Sequence, residues 1–287
     1  MKRKEIVHII RKRFEKVNVA YQSLSMHYTA EDIHTFRVAV KKLRAFLRLL
    51  GKRKKLSLPT RLSEFYRVTG TIRNLRLQQQ NVLKAWVAMD KEPPAHYLQV
   101  LETEISGNIL LAKFLAKGRK NFQKEEKRII DRLPARAGKK TIDRFLQAET
   151  NKIRNLLTPS LPADESLHSV RKSFKNLLYT ENYAGQYTVP QTLLLPYSEL
   201  ESQAGLLGDL QDIHTGILLL QSPYTDAGNS EEERINLFNL RGQWLEEKER
   251  KELEAYTLLR KKMGIRDNAD DGVTDISAGN DTNHVSR

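Results

Sequence analysis

The chain has no cysteine among its 287 residues. A disulfide framework and thiolate metal sites are therefore excluded. It also has no apolar run near the ~20 residues of a membrane-spanning helix. The start, Met1-Lys-Arg-Lys, continues into a segment broken by Arg11, Lys12 and Arg13, not into an apolar signal core. A cytoplasmic protein with no membrane partner is the expectation. Several catalytic signatures are missing as well. There is no phosphate-cradling Gly-rich loop, no Gly-x-Ser-x-Gly, no His-Glu-x-x-His and no Asp-rich cluster. No metal, no cofactor and no enzymatic activity are expected. Aromatic residues make up only 7% and mostly fall on apolar faces. That argues against base stacking as the mode of recognition.

The most informative absence is of negative charge. No acid occurs from Ile33 to Ser63, a window holding Arg37, Lys41, Lys42, Arg44, Arg48, Lys52, Arg53, Lys54, Lys55 and Arg61. An ordinary solvated helix face interleaves Glu with Lys, because like charges at i,i+4 destabilise it. This one accepts self-repulsion. The net charge of +14 is also lopsided. Residues 1–138 carry 31 Lys and Arg against 12 acids, and residues 139–287 carry 18 against 23. Polyanions are the expected partners, with most affinity in the first half.

Wound as an α-helix, His34, Arg37, Lys41, Arg44 and Arg48 fall within an arc of about 80°. Phe36, Val40, Leu43, Phe46, Leu47 and Leu50 lie opposite. One face can bury, and the other is a cationic stripe roughly 21 Å long. The pattern returns later. His168-Ser-Val-Arg171-Lys172-Ser-Phe-Lys175 repeats His-x-x-Arg at i,i+3 and Lys at i+7, 134 positions on (168 minus 34). Val170, Phe174, Leu177 and Leu178 again lie opposite. A second pair, Gly70-Thr-Ile-Arg-Asn74 and Gly208-Asp-Leu-Gln-Asp212, is offset by 138 (208 minus 70). Two motifs with nearly equal offsets indicate a duplicated unit.

These motifs resemble the CHAD family, the conserved-histidine α-helical domain, over about residues 2 to 263. The family pattern is roughly His-x-x-Arg-Val-x-x-[Lys/Arg]-[Lys/Arg]-Leu-Arg, then His-x-x-Arg-Lys-x-x-Lys-x-Leu-Arg-Tyr, each followed by Leu-Gly-x-x-[Arg/Gln]-Asp. The resemblance implies an all-α fold of two pseudo-symmetric antiparallel four-helix bundles. It also implies binding of inorganic polyphosphate where the halves meet, and hence association with polyphosphate granules. Two positions depart from the pattern. Leu178 replaces an Arg, and Asn74 replaces the Asp of the first Arg-Asp pair. Asn74 cannot orient a neighbouring Arg by a salt bridge, and the second half is expected to bind more weakly.

The expected organisation is a first repeat over 1–136, a second over 137–263 and a disordered acidic tail over 264–287. Residues 2–28 read as an amphipathic helix burying Ile6, Ile10, Phe14, Val17, Tyr21 and Leu24. Thr29 is the expected N-cap of the motif helix, with Asp32 three residues on. Gly70 falls inside a helix over 60–90, at a cost of about 1 kcal/mol relative to Ala. A close approach by another helix would explain it, and Gly205 and Gly208 are read likewise. Pro93-Pro94 breaks the chain before a long helix over 95–132. Its second half carries a further stripe, Lys113, Lys117, Lys120, Lys124 and Arg128, opposite Leu111, Phe114, Leu115, Phe122 and Ile129. Helices near 139–158, 163–184, 191–221 and 229–263 complete the chain.

The candidate polyphosphate ligands are His34, Arg37, Lys41, Lys42, Arg44, Arg48, Arg73, His168, Arg171, Lys172 and Lys175. Arg supplies forked donors matched to phosphate oxygens, and Lys supplies point charges. Bound phosphate favours the imidazolium, so affinity should rise toward pH 6 if the histidines make contact. Nucleic acid is the rival polyanion. An accessory role beside a phosphate-processing enzyme is a second alternative.

Overall fold

The computed structural model describes residues 1–51, 56–118, 121–159, 161, 166–184, 195–221, 224–225 and 228–265. The basic run Lys52–Lys55, Lys120 and the tail from residue 266 lie outside the described residues. Nine helices are found among those described: α1 (Arg3–His27), α2 (Ala30–Leu49), α3 (Thr60–Ala88), α4 (Ala95–Ala116), α5 (Gln123–Asp131), α6 (Lys139–Leu157), α7 (Ser166–Ala184), α8 (Tyr197–Leu219) and α9 (Glu231–Lys262). The only extended pairing among them is an isolated bridge between Lys2 and Arg136. The fold is all-α.

Hydrophobic periodicity explains why these segments are helices. Ile6, Ile10, Phe14, Val17, Tyr21 and Leu24 are all buried along α1. Phe36, Val40, Leu43, Phe46 and Leu47 are all buried along α2. Thr29 does cap α2: its hydroxyl accepts the Asp32 backbone N–H at 3.1 Å. The Asp32 carboxylate in turn accepts from the Ser23 and Thr29 hydroxyls, which hold it below the usual carboxylate range. That carboxylate also suits the positive end of the α2 dipole.

In each half, successive helices pack on one another: α1 on α2, α2 on α3, α3 on α4, then α6 on α7, α7 on α8, α8 on α9. Helix α5 returns to α1, and α9 returns to α6. The halves meet through α2 on α7 and α3 on α8, with α6 also touching α2. One apolar cluster runs through the whole molecule, from Ile6 to Leu259. Each fully buried Leu or Phe contributes about 1.5–3 kcal/mol. Edge-on ring contacts join α1, α2 and α3: Tyr21 to Phe65 at 5.2 Å and Phe36 to Phe65 at 5.3 Å. Phe36 is thereby pinned inward, and the cationic face of α2 must point away from that core.

The N-terminus straps the segment between the halves. The Met1 ammonium donates to the Ala137 carbonyl at 2.8 Å, and Arg3 donates to Ile130 at 2.9 Å.

Two expectations fail here. The helix over 95–132 is not continuous. It ends at Ala116, turns at Lys117 and Gly118, and resumes as α5 at Gln123. Gly118 has φ +73°, a left-handed conformation that glycine adopts freely and that a continuing helix excludes. Phe122 and Ile129 are buried as expected, but Leu111 and Phe114 are 42% and 71% exposed. The break lets the chain present its apolar residues in a phase that one straight helix would not allow. Gly205 is the second correction. A Cβ there would meet nothing within 4 Å, so no close approach requires a glycine at that position.

Candidate anion-binding seam

Helices α2 and α7 carry the two His-x-x-Arg motifs and pack on each other, so the cationic faces converge along one seam. Lys41 sits at the centre. Its ammonium pKa is pushed down to about 8, first by burial and then by Arg37, Arg171, Arg73 and Lys175. Two of those neighbours come from the first half and two from the second. Lys175 is likewise lowered by burial and by Arg171, with Glu201 opposing. Among the described residues, no carboxylate forms an ion pair with Arg37, Lys41, Arg44, Arg48, Arg171, Lys172 or Lys175.

Arg37 is held by α3. Its Nη1 donates to the Tyr66 carbonyl at 2.6 Å and its Nη2 to the Tyr66 hydroxyl at 3.4 Å. The guanidinium carbon lies 4.2 Å from the Tyr66 ring centre. Burial pushes Arg37 below the ordinary arginine value, Tyr66 opposes this, and Arg73 and Arg44 add to it. Arg44, two turns along α2, places its guanidinium 4.6 Å from the same ring centre. Gly70 supplies the room. A Cβ there would fall 2.5 Å from Arg37 Nη1. The close approach expected at Gly70 exists, but it is by an arginine side chain, not by a helix backbone.

The second half repeats this in a looser form. A Cβ on Gly208 would lie 3.5 Å from Arg171 Nε, an ordinary contact. The buried Arg171 Nε has no hydrogen-bond partner among the described residues. His168 is half-buried in the first turn of α7, while His34 is exposed at the start of the second turn of α2. Lys172 is exposed. Arg48, also exposed, donates to Asn176 Oδ1 on α7 at 3.3 Å. Asn176 in turn donates to Glu149 at 3.2 Å.

Arg73 is different. Both of its terminal nitrogens reach the Asp212 carboxylate at 3.3 Å, joining α3 to α8 across the halves. The pair is about one-third exposed on each side. With Asn74 beside it, Arg73 takes its carboxylate from α8, 139 residues away. Arg76 is committed elsewhere, donating to the Tyr28 carbonyl.

Lys42 does not join the seam. It is off the helical phase of Arg37, Lys41 and Arg44 and lines a groove between α1 and α2 with Lys12, Arg13 and Lys16. The second stripe is also divided. Lys113 lies in the last turn of α4, Lys117 lies in the turn that follows, and Lys124 and Arg128 are exposed on α5. The break at Gly118 removes the continuous ridge that was expected of them.

The sequence reading missed Tyr66, Tyr179 and the role of Asp212. Tyr179, on α7, has its phenol pushed up by burial, with Arg171 opposing and Tyr66 adding to the rise. Residues 66, 70 and 73 are spaced to share one face of α3, a signal that could have brought Tyr66 forward.

Fold and site together define a class: all-helical domains in which two repeated cationic helices meet along one seam. The chain belongs to the CHAD domain family, whose model matches residues 8–221. That family is associated with polyphosphate binding. The chain is similar in fold to the crystal structure of the CHAD domain from the plant Ricinus communis. The two share 14% identity over 93% of each chain, with a TM-score of 0.70. It is also similar to PptA from Streptomyces chartreusis, with 13% identity, coverage of 92% of this chain and 99% of that one, and a TM-score of 0.61. No curated protein matches the chain. Helix α9 lies beyond the family match, and no described helix is long and apolar enough to cross a membrane.

Proposed function

We propose that this protein binds inorganic polyphosphate along the α2–α7 seam and does not cleave it. The observation carrying this reading is the set of cations around Lys41: Arg37 and Arg73 from one half, Arg171 and Lys175 from the other. Burial first, and then these gathered charges, disfavour the charged form of Lys41 in the empty protein. A linear polyanion relieves that cost at every position along the seam. The guanidiniums hold fixed charge and cannot serve as bases near neutral pH. Among the described residues, the carboxylate in contact with a seam cation is Asp212, and it is engaged by Arg73. Chain length after prolonged incubation should therefore be unchanged, whereas a shortened chain or released phosphate would make it an enzyme.

Nucleic acid is the reading to beat. Non-specific single-strand binders offer open rings for bases to stack on. Here the Tyr66 ring already lies against two guanidiniums. Competition of long-chain polyphosphate against single- and double-stranded nucleic acid should favour polyphosphate by at least about ten-fold at equal ionic strength. Equal competition would return the protein to a general polyanion binder. Binding should weaken steeply with salt, because a phosphate polymer releases condensed counterions. In cells, a tagged chain is expected to follow polyphosphate granules and to disperse when polyphosphate is depleted.

A further inference from the structure

The structure assigns a positioning role to Tyr66, which holds Arg37 and Arg44 together as one prepared pair of guanidiniums. This rests on the polyphosphate reading and deepens it. The two arginines lie seven residues apart on one face of α2 and repel each other. Left alone, such long side chains would diverge into solvent. One ring from α3 opposes this, with the Arg37 guanidinium 4.2 Å and the Arg44 guanidinium 4.6 Å from its centre. Cation–π attraction favours both placements. The Tyr66 carbonyl adds a 2.6 Å hydrogen bond to Arg37, and Gly70, one turn further along α3, leaves space for that guanidinium.

The arrangement is one-sided. By the offset that relates Gly70 to Gly208, the counterpart of Tyr66 is Ala204, which is buried. Among the described residues, Arg171 therefore has no equivalent ring beneath it from α8, and its Nε has no hydrogen-bond partner. Among the described residues the first half carries two guanidiniums held on one ring, and the second shows no such pair. Side chains fixed in advance lose less entropy on binding. Tyr66 thus makes the first half the stronger subsite by geometry as well as by charge.

Tyr66→Leu removes the ring but no charge. Affinity for polyphosphate of defined length should fall about five- to ten-fold, since each exposed cation–π contact is worth about two- to five-fold. The slope of log affinity against log salt should stay the same, because the number of cations is unchanged. Tyr66→Phe keeps the ring and should restore affinity to within about two-fold. In the unaltered protein, NMR should show Arg37 and Arg44 side-chain protons shifted by the ring, which requires no variant to fold. Unshifted arginine protons, or a loss from Tyr66→Phe as large as from Tyr66→Leu, would overturn the assignment. So would an unchanged affinity for a folded Tyr66→Leu. Ring-shifted arginines in a protein that binds no polyphosphate would instead overturn the functional reading and leave the pairing intact.

Discussion

Lys41 offers a pH dependence whose sign and size both come from the seam. Its ammonium is lowered from the ordinary lysine value to about 8 by burial and four neighbouring cations. At about 1.4 kcal/mol per pKa unit, the charged form is disfavoured by about 3 kcal/mol in the empty site. A bound phosphate chain reverses the local field and raises that pKa again. Only the charged form favours the ligand, so binding takes up a proton wherever free Lys41 is neutral. At pH 7 about nine-tenths of the free protein carries the charge, and at pH 9 about one-tenth does. Polyphosphate affinity should therefore fall about ten-fold between pH 7 and pH 9 at constant ionic strength. Titration calorimetry in buffers of different ionisation enthalpy would show proton uptake appearing across the same interval. Tyr179 does not compete for this explanation, because burial pushes its phenol up and out of the range. Lys41→Met should remove most of the dependence while lowering affinity at pH 7, with Lys175, also lowered by burial and Arg171, supplying the rest. Unfolding supplies an independent check. The folded pKa lies below the unfolded one, so the unfolded chain holds more protons between about pH 8 and the ordinary lysine value. Stability should rise with pH across that window, and Lys41→Met should raise the Tm at pH 7. Flat affinity from pH 7 to 9 in the unaltered protein would refute the reasoning.

Two further predictions use the contacts of Arg37 and Arg73. Gly70→Ala places a methyl 2.5 Å from Arg37 Nη1 and should displace that flexible side chain, lowering affinity several-fold with no loss of Tm, since Ala favours the helix by about 1 kcal/mol. Gly208→Ala meets only an ordinary contact with Arg171 and should leave affinity unchanged; isothermal titration and thermal melts of both variants check the contrast. Asp212→Asn frees Arg73 and should raise affinity by up to about five-fold, the most a part-exposed ion pair is worth, with a salt slope steeper by about 0.9. Weaker binding by this variant would mean that Asp212 orients Arg73 for the ligand.

Local physics wrote much of this molecule openly into its sequence. The buried stripe from Ile6 to Leu24, the Thr29 cap and the paired motifs on α2 and α7 all follow from spacing within a single helix. Gly70 was legible as a place needing space, yet nothing local said that an arginine would occupy it. Lys42 was drawn in by adjacency to Lys41, although helical phase turns it toward α1. The Arg73–Asp212 pair spans 139 residues, and no pattern along the chain couples them. The turn at Gly118 was hidden because a helical pattern continues on both sides of it, and a single glycine inside a pattern is an ambiguous stop signal. Tyr66 stood outside the motifs and gained meaning only when α3 was laid beside α2.

The most direct measurement compares polyphosphate affinity of the unaltered chain with Arg37→Glu and Arg171→Glu at matched salt, with folding verified by circular dichroism. If the two halves hold one phosphate chain between them, both reversals weaken binding. The Arg37 change should cost about ten-fold or more, and more than the Arg171 change. Full affinity in either folded variant would contradict a shared seam.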